Sequence, residues 1–137
     1  MNSDPVDYTL EFLLGFDGRE HIFERGYYVK FQIRRVQKSA QIPHGIRYSF
    51  SMHDPDGKRI LGYDNAHAIE RGKPWDHKHS VRRVFKKPYG QTKPQLVEFE
   101  SAEALLESFY CDVERILQTL GLSNAVEQVV ERDRRTQ

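Results

Sequence analysis

Two stretches of strict alternation constrain this chain more than anything else in it. Over residues 27–36, Tyr27, Val29, Phe31 and Ile33 alternate with Tyr28, Lys30, Gln32 and Arg34. Over Ile46–His53, Ile46, Tyr48, Phe50 and Met52 alternate with Arg47, Ser49, Ser51 and His53. Successive side chains of a strand point to opposite faces, so each stretch reads as a strand with one face on a core and one in water. Lys38–Gly45 connects them, and Pro43 interrupts pairing there. Asp54-Pro55-Asp56-Gly57 is a turn with a mechanism, since Pro pre-sets φ and Gly accepts positive φ. The chain then returns along Arg59–Asp64, which makes an antiparallel meander.

The flanks extend this pattern. In residues 8–23, Leu10, Phe12, Leu14 and Phe16 alternate, Asp17-Gly18 is a turn signal, and His21-Ile22-Phe23 follows. A hairpin is the expectation there. Residues 65–76 contain Gly72 and Pro74 and read as a loop. His77–Phe85 resumes alternation, with His77, His79, Val81, Arg83 and Phe85 on one side; Pro88-Tyr89-Gly90 breaks it, and Gln95–Phe99 is a last short strand. Ser101 then offers a helix N-cap with Glu103 in the first turn, and Leu105, Leu106, Phe109, Val113, Ile116, Leu117 and Leu120 form an apolar stripe ended by Gly121. Ser123 is expected to cap a short helix over 123–133 through Val126, Val129 and Val130, before a frayed tail. The fold expected is α+β: one domain over 1–137, with an ordered core at 8–122. In it a twisted antiparallel meander of about five to six strands is packed by a C-terminal helix.

Length supports one domain, since 137 residues bury a core without metal or disulfide staples. Cys111 is the only cysteine, so an internal disulfide is excluded; its place near the apolar stripe reads as a small buried hydrophobe rather than a nucleophile. No segment approaches the ~18 apolar residues of a membrane span, and Met1-Asn2-Ser3-Asp4-Pro5 lacks the order of a secretion signal. The expected setting is cytoplasmic, with no membrane partner. Charge is unevenly distributed. Residues 71–93 carry eight basic side chains against Asp76, a balance of +7, while residues 95–120 carry six acids against Arg115, a balance of −5. Such asymmetry suits a polyanion on one surface, or two neighbouring segments that neutralise each other.

Candidate chemistry gathers in Tyr63-Asp64-Asn65-Ala66-His67 and Trp75-Asp76-His77-Lys78-His79. If the strands on either side pair as a hairpin, the loop closes and brings Asp64 and His67 towards His77 and His79. Three readings follow. Two histidines with ordinary pKa near 6.5 serve as base and acid for RNA cleavage, with Lys or Arg steadying the phosphorane. Alternatively Asp64, His67, His77 and His79 hold a divalent transition metal. In the third, these residues simply fix the loop by local hydrogen bonds. Tyr28 is the aromatic best placed for a surface role, such as stacking on a base. Walker, dinucleotide, Cys-x-x-Cys and His-Glu-x-x-His motifs are absent.

The order Tyr63-Asp64-Asn65, a Gly- and Lys-containing loop, then Asp76-His77-Lys78-His79 resembles the signature of the TumE-like proteins. There a Tyr-Asp-Asn segment runs into Gly-Lys-Gly-Asp-His-x-His. The flanking order is similar as well: an extended Tyr28–Val36 strand, Pro43-His44-Gly45 before the Tyr48 strand, and a closing helix like Ser101–Leu117. The likeness covers roughly residues 20–120. This chain departs from it in a longer loop, Ala66–Trp75, which includes His67 and Glu70 and has Trp75 where the shorter form has Gly. The resemblance implies the toxin of a prokaryotic type II toxin–antitoxin pair, acting on RNA beside a helix-turn-helix antitoxin. On that reading His77 and His79 are acid and base and Asp64 orients one of them. Lys73, Lys78, Arg82, Arg83 and Tyr28 contact RNA, and no cofactor is needed unless a divalent metal binds. A homodimer is a further partner arrangement left open. The alternatives are a non-catalytic nucleic-acid-binding or antitoxin-paired module and a metal-dependent hydrolase.

Overall fold

The computed structural model describes residues 11–39, 45–65, 80–90, 92–98 and 100–132. Among the described residues seven strands form one sheet: β1 Arg19–Ile22, β2 Tyr28–Arg35, β3 Ile46–His53, β4 Arg59–Asp64, β5 Ser80–Phe85, β6 Gln95–Glu98 and β7 Gln128–Glu131. Their order across the sheet is β6-β5-β4-β3-β2-β1-β7, and every neighbouring pair is antiparallel. The first six strands are thus the expected meander. A long helix, α1 (Ala102–Thr119), follows them.

Alternation positions the core as the sequence implies. Val29, Phe31, Ile33, Ile46, Tyr48, Phe50, Met52, Leu61 and Tyr63 are buried, and α1 lies on this face. Phe109 of α1 meets Tyr63, Phe50 and Phe31 edge-on, with ring centroids 5.3, 5.5 and 5.9 Å apart. The Ser101 hydroxyl accepts from the Ala104 N–H at 3.0 Å, which caps the helix. At the other end the Leu122 N–H donates to the Leu117 carbonyl at 2.9 Å around the Gly121 stop.

Three local expectations are corrected. Residues 11–16 form helical turns rather than a strand, so Asp17-Gly18 closes no hairpin. The turn docks on β2 instead, where Asp17 Oδ1 accepts from the Ile33 N–H at 2.8 Å and the Gly18 N–H donates to the Phe31 carbonyl at 2.9 Å. The helix expected over 123–133 is also absent among the described residues. Ser123 Oγ accepts only a local turn bond from Ala125 N, and Gln128–Glu131 pairs with β1. Two adjacent valines, Val129 and Val130, suit an extended edge, and β1 offered an unpaired row of backbone groups. Gly18 lets this strand close in, because a Cβ there would stand 2.2 Å from the Arg132 carbonyl oxygen. Finally, Cys111 is exposed, since it falls off the buried stripe of α1.

Candidate functional site

One face of the sheet carries α1; the other presents the alternate residues of each strand. Register places these in rows. Arg34 faces Arg47; Gln32, Ser49, Asp64 and Arg82 stand in line across β2 to β5; Lys30, Ser51, Gly62 and Val84 form the next row; Tyr28 and His53 form the last. The central floor of this face is made of small residues, Ser49, Ser51 and Gly62, while Lys30, Arg34, Arg47, Arg59 and Arg82 stand around it. The result is a shallow polar cleft of about 340 Å³ lined by Gln32, Arg34, Arg47, Ser49, Arg59 and Asp64.

Asp64 sits within that cleft, only 13 % exposed, with Arg59 Nη2 and Arg82 Nη1 each 3.9 Å from its Oδ2. Gly62 makes room for this arrangement. A Cβ at Gly62 would lie 2.0 Å from Arg59 Nη2, so the guanidinium crosses the strand where a side chain is missing. The exposed outer positions of α1 carry the opposite sign, with Glu103, Glu107 and Glu114. The two surfaces therefore differ in charge.

At the far row, the Tyr28 and His53 rings are stacked, 4.8 Å apart and within 8° of parallel. His53 Nδ1 lies 3.1 Å from the Gly57 carbonyl, which can only accept, so Nδ1 carries the hydrogen. Its Nε2 is then free to accept from the Ser51 hydroxyl at 2.9 Å. Burial, with added repulsion from Lys30 and Arg59, lowers the His53 pKa below 6.5, although the Gly57 bond and Glu20 oppose this. The balance therefore favours the neutral ring.

The sequence-expected site residues divide among three places. Asp64 and Arg82 meet on the open face, and Tyr28 stands on the same face. Arg83 is on the other side, under α1, where Nε and Nη2 donate to the two carboxylate oxygens of Asp112, both at 2.9 Å. The Tyr63 hydroxyl also donates to Asp112, at 2.5 Å, and burial followed by this bond raises the Tyr63 pKa. This link between β5 and α1 realises, at one point, the neutralisation of the basic segment by the acidic one. His67, Lys73, Lys78, His77 and His79 lie outside the described residues. β4 and β5 do pair, with Asp64 opposite Arg82, so the segment bearing the histidines joins neighbouring strands.

Asn65 has a structural use. It is buried, accepts from the Tyr48 N–H at 3.0 Å and donates to the Ile46 carbonyl at 2.7 Å. Its amide thus continues the β3–β4 ladder past the end of its backbone pairs. Among the described residues no group of three or more His, Cys, Asp or Glu could hold a metal ion. No helix among them is long and apolar enough to cross a membrane.

No basic run marks the cations of the cleft, because Lys30, Arg34, Arg47 and Arg59 are scattered through the sequence. Their signal lay in the alternation itself, which had already set Lys30, Arg34 and Arg47 opposite the core residues. A family model described as "Toxin TumE" matches residues 13–117, from the turn before β1 into the last turn of α1. No curated protein and no solved structure matches the chain.

Proposed function

This chain belongs to the TumE toxin family, and from that premise we propose that it is the toxin of a type II toxin–antitoxin pair and acts on RNA. Its partner is a helix-turn-helix antitoxin. The observation that carries the RNA reading is the cationic cleft at the end of the β4–β5 hairpin, where Asp64 and Arg82 stand opposite each other. Phosphate contacts come mainly from Lys and Arg, and the chain between these two strands supplies Lys73, Lys78, His77 and His79.

The chemistry is proton transfer by imidazole. One histidine removes the proton from a 2′-hydroxyl, whose oxygen attacks the adjacent phosphorus. The other, protonated, gives its proton to the departing 5′ oxygen. Products are a 2′,3′-cyclic phosphate and a 5′-hydroxyl, and nearby cations stabilise the charge gathered on the phosphoryl oxygens. Asp64 orients one imidazole. It faces the same side as Arg82, so this role requires His77 or His79 to reach round the end of β5 to the open face.

The test is cleavage of total RNA by purified protein, with and without chelator, for wild type and His77→Ala/His79→Ala. Cleavage that is lost in the double variant and indifferent to chelator is expected. Chelator sensitivity would instead favour a metal-dependent hydrolase built on Asp64, His67, His77 and His79. No cleavage by folded wild type would leave a non-catalytic nucleic-acid-binding or antitoxin-paired module.

A further inference from the structure

We infer that the open face of the sheet is a binding platform for single-stranded RNA, with phosphates on the Arg34–Arg47 side of the cleft and an unpaired base on the Tyr28–His53 stack. This rests on the RNA reading above and extends it to residues that carry none of the proposed catalysis.

Geometry and charge support each part. The floor of Ser49, Ser51 and Gly62 lets a chain approach the backbone of the sheet, and Arg34, Arg47 and Arg59 line the cleft beside it. Arg34 and Arg47 are exposed and directly opposed in register. Like charges directly opposite on neighbouring strands are destabilising, and a bound anion relieves that repulsion. That makes this pair the strongest mark of a phosphate on the face. Asp64, the acid within the cleft, is already flanked by Arg59 and Arg82. Glu20, towards β1, is held by Arg132 Nε at 2.9 Å.

The Tyr28–His53 pair supplies the other half of nucleic-acid recognition. Both rings are part-exposed and parallel, and His53 is held by a hydrogen bond at each of its nitrogens. A flat π-surface at the edge of a cationic groove takes a base of any sequence, provided that base is not already stacked in a duplex. His53 lies four residues along β3 from Ser49, on the Asp64 row, or about 13 Å at the rise of a strand. A base seated there belongs to a nucleotide further along the same strand of RNA than the phosphates beside Arg34 and Arg47, one row beyond Ser49. The acidic outer side of α1 faces the other way and leaves one surface for the polyanion.

The experiment is fluorescence anisotropy with a labelled ten-nucleotide uridine RNA, at several salt concentrations, on the His77→Ala/His79→Ala background so that no cleavage intervenes. The expected result is tight binding of the single strand and weak binding of the same RNA annealed into a duplex. Arg34→Ala/Arg47→Ala should lower the slope of log affinity against log salt by about 1.4, at about 0.7 per lost phosphate contact. Tyr28→Ala should weaken binding about fivefold or more with little change in that slope. Arg115→Gln, on α1, should change neither.

An unchanged slope in the arginine pair would overturn the proposal, and so would equal affinity for duplex. Displacement of the RNA by polyglutamate at equal charge would assign the face to an acidic protein segment instead. Circular dichroism of each variant separates loss of binding from loss of fold, and the two exposed arginines supply a test even if Tyr28→Ala unfolds. Binding that persists in a protein that never cleaves RNA would sink the ribonuclease reading and keep the platform. Cleavage by a protein whose Arg34→Ala/Arg47→Ala form binds normally would do the reverse.

Discussion

Replacing Asp112 with Ala probes the join between sheet and helix most sharply. Its carboxylate is 9 % exposed and accepts from Arg83 twice, from the Tyr63 hydroxyl, and from Arg115 Nη2 at 3.2 Å. Without it, the Arg83 side chain, 25 % exposed, keeps one hydrogen bond, to Gln95 Oε1 at 3.2 Å, beside the Phe85 ring, and the Tyr63 hydroxyl keeps Ser108. Removing one partner of a fully buried pair costs roughly 3–5 kcal/mol. Water reaches a quarter of Arg83, so about 2–4 kcal/mol is expected, or a fall in Tm on the order of 10 °C. Urea unfolding followed by circular dichroism measures it. Arg83→Met/Asp112→Leu should recover most of the loss, because apolar residues of similar size replace such pairs at little cost. Two results would refute this reasoning: Asp112→Ala within about 0.5 kcal/mol of wild type, or a double variant as unstable as the sum of the singles. The same variants also test the role of Arg83. Arg83→Met should lower stability and leave the salt dependence of RNA binding unchanged, which separates a residue that holds α1 from one that holds phosphate.

Other expectations follow from the same geometry. Asn65→Ala strands a buried N–H of Tyr48 and a carbonyl of Ile46 and should destabilise the fold by about 2–4 kcal/mol in urea unfolding. Gly62→Ala should leave stability within about 1 kcal/mol, because only the flexible end of Arg59 must move, yet it should weaken binding of the uridine RNA by displacing that guanidinium. The lowered pKa of His53 also sets a pH dependence. A base that is harder to protonate when folded contributes stability above its unfolded value of 6.5, and that contribution is lost as pH falls from there through the folded value. The drop in urea midpoint between pH 7.5 and pH 5.5 should therefore be smaller in His53→Gln than in wild type.

Much of the fold was legible because β2 and β3 alternate without a fault, and a one-residue slip would have buried Lys30 or Arg47. The ends were not. Leu13 and Leu14 fit both periods, and β7 depends on a partner edge, β1, that lies a hundred residues away in sequence. The candidate site was half legible. Asp64 could be placed at a strand end from the sequence, but whether Arg82 or Arg83 would share its face depended on register, and register put Arg82 there. The rim of cations needed three strands to be laid side by side before Lys30, Arg34, Arg47 and Arg59 could be seen as one surface. Asn65 looked like a loop residue and proved to extend a ladder, because its amide imitates a peptide group.

Mapping the RNA ends left by the purified protein tests the central claim most directly. Imidazole-driven attack by the 2′-hydroxyl leaves 2′,3′-cyclic phosphate and 5′-hydroxyl termini, in the presence of chelator, and a 2′-deoxy substitution at the cleaved position blocks it. Those termini, made by wild type and not by His77→Ala/His79→Ala, are the expected result. Termini bearing a 5′-phosphate, or cleavage that continues in the double variant, would contradict it.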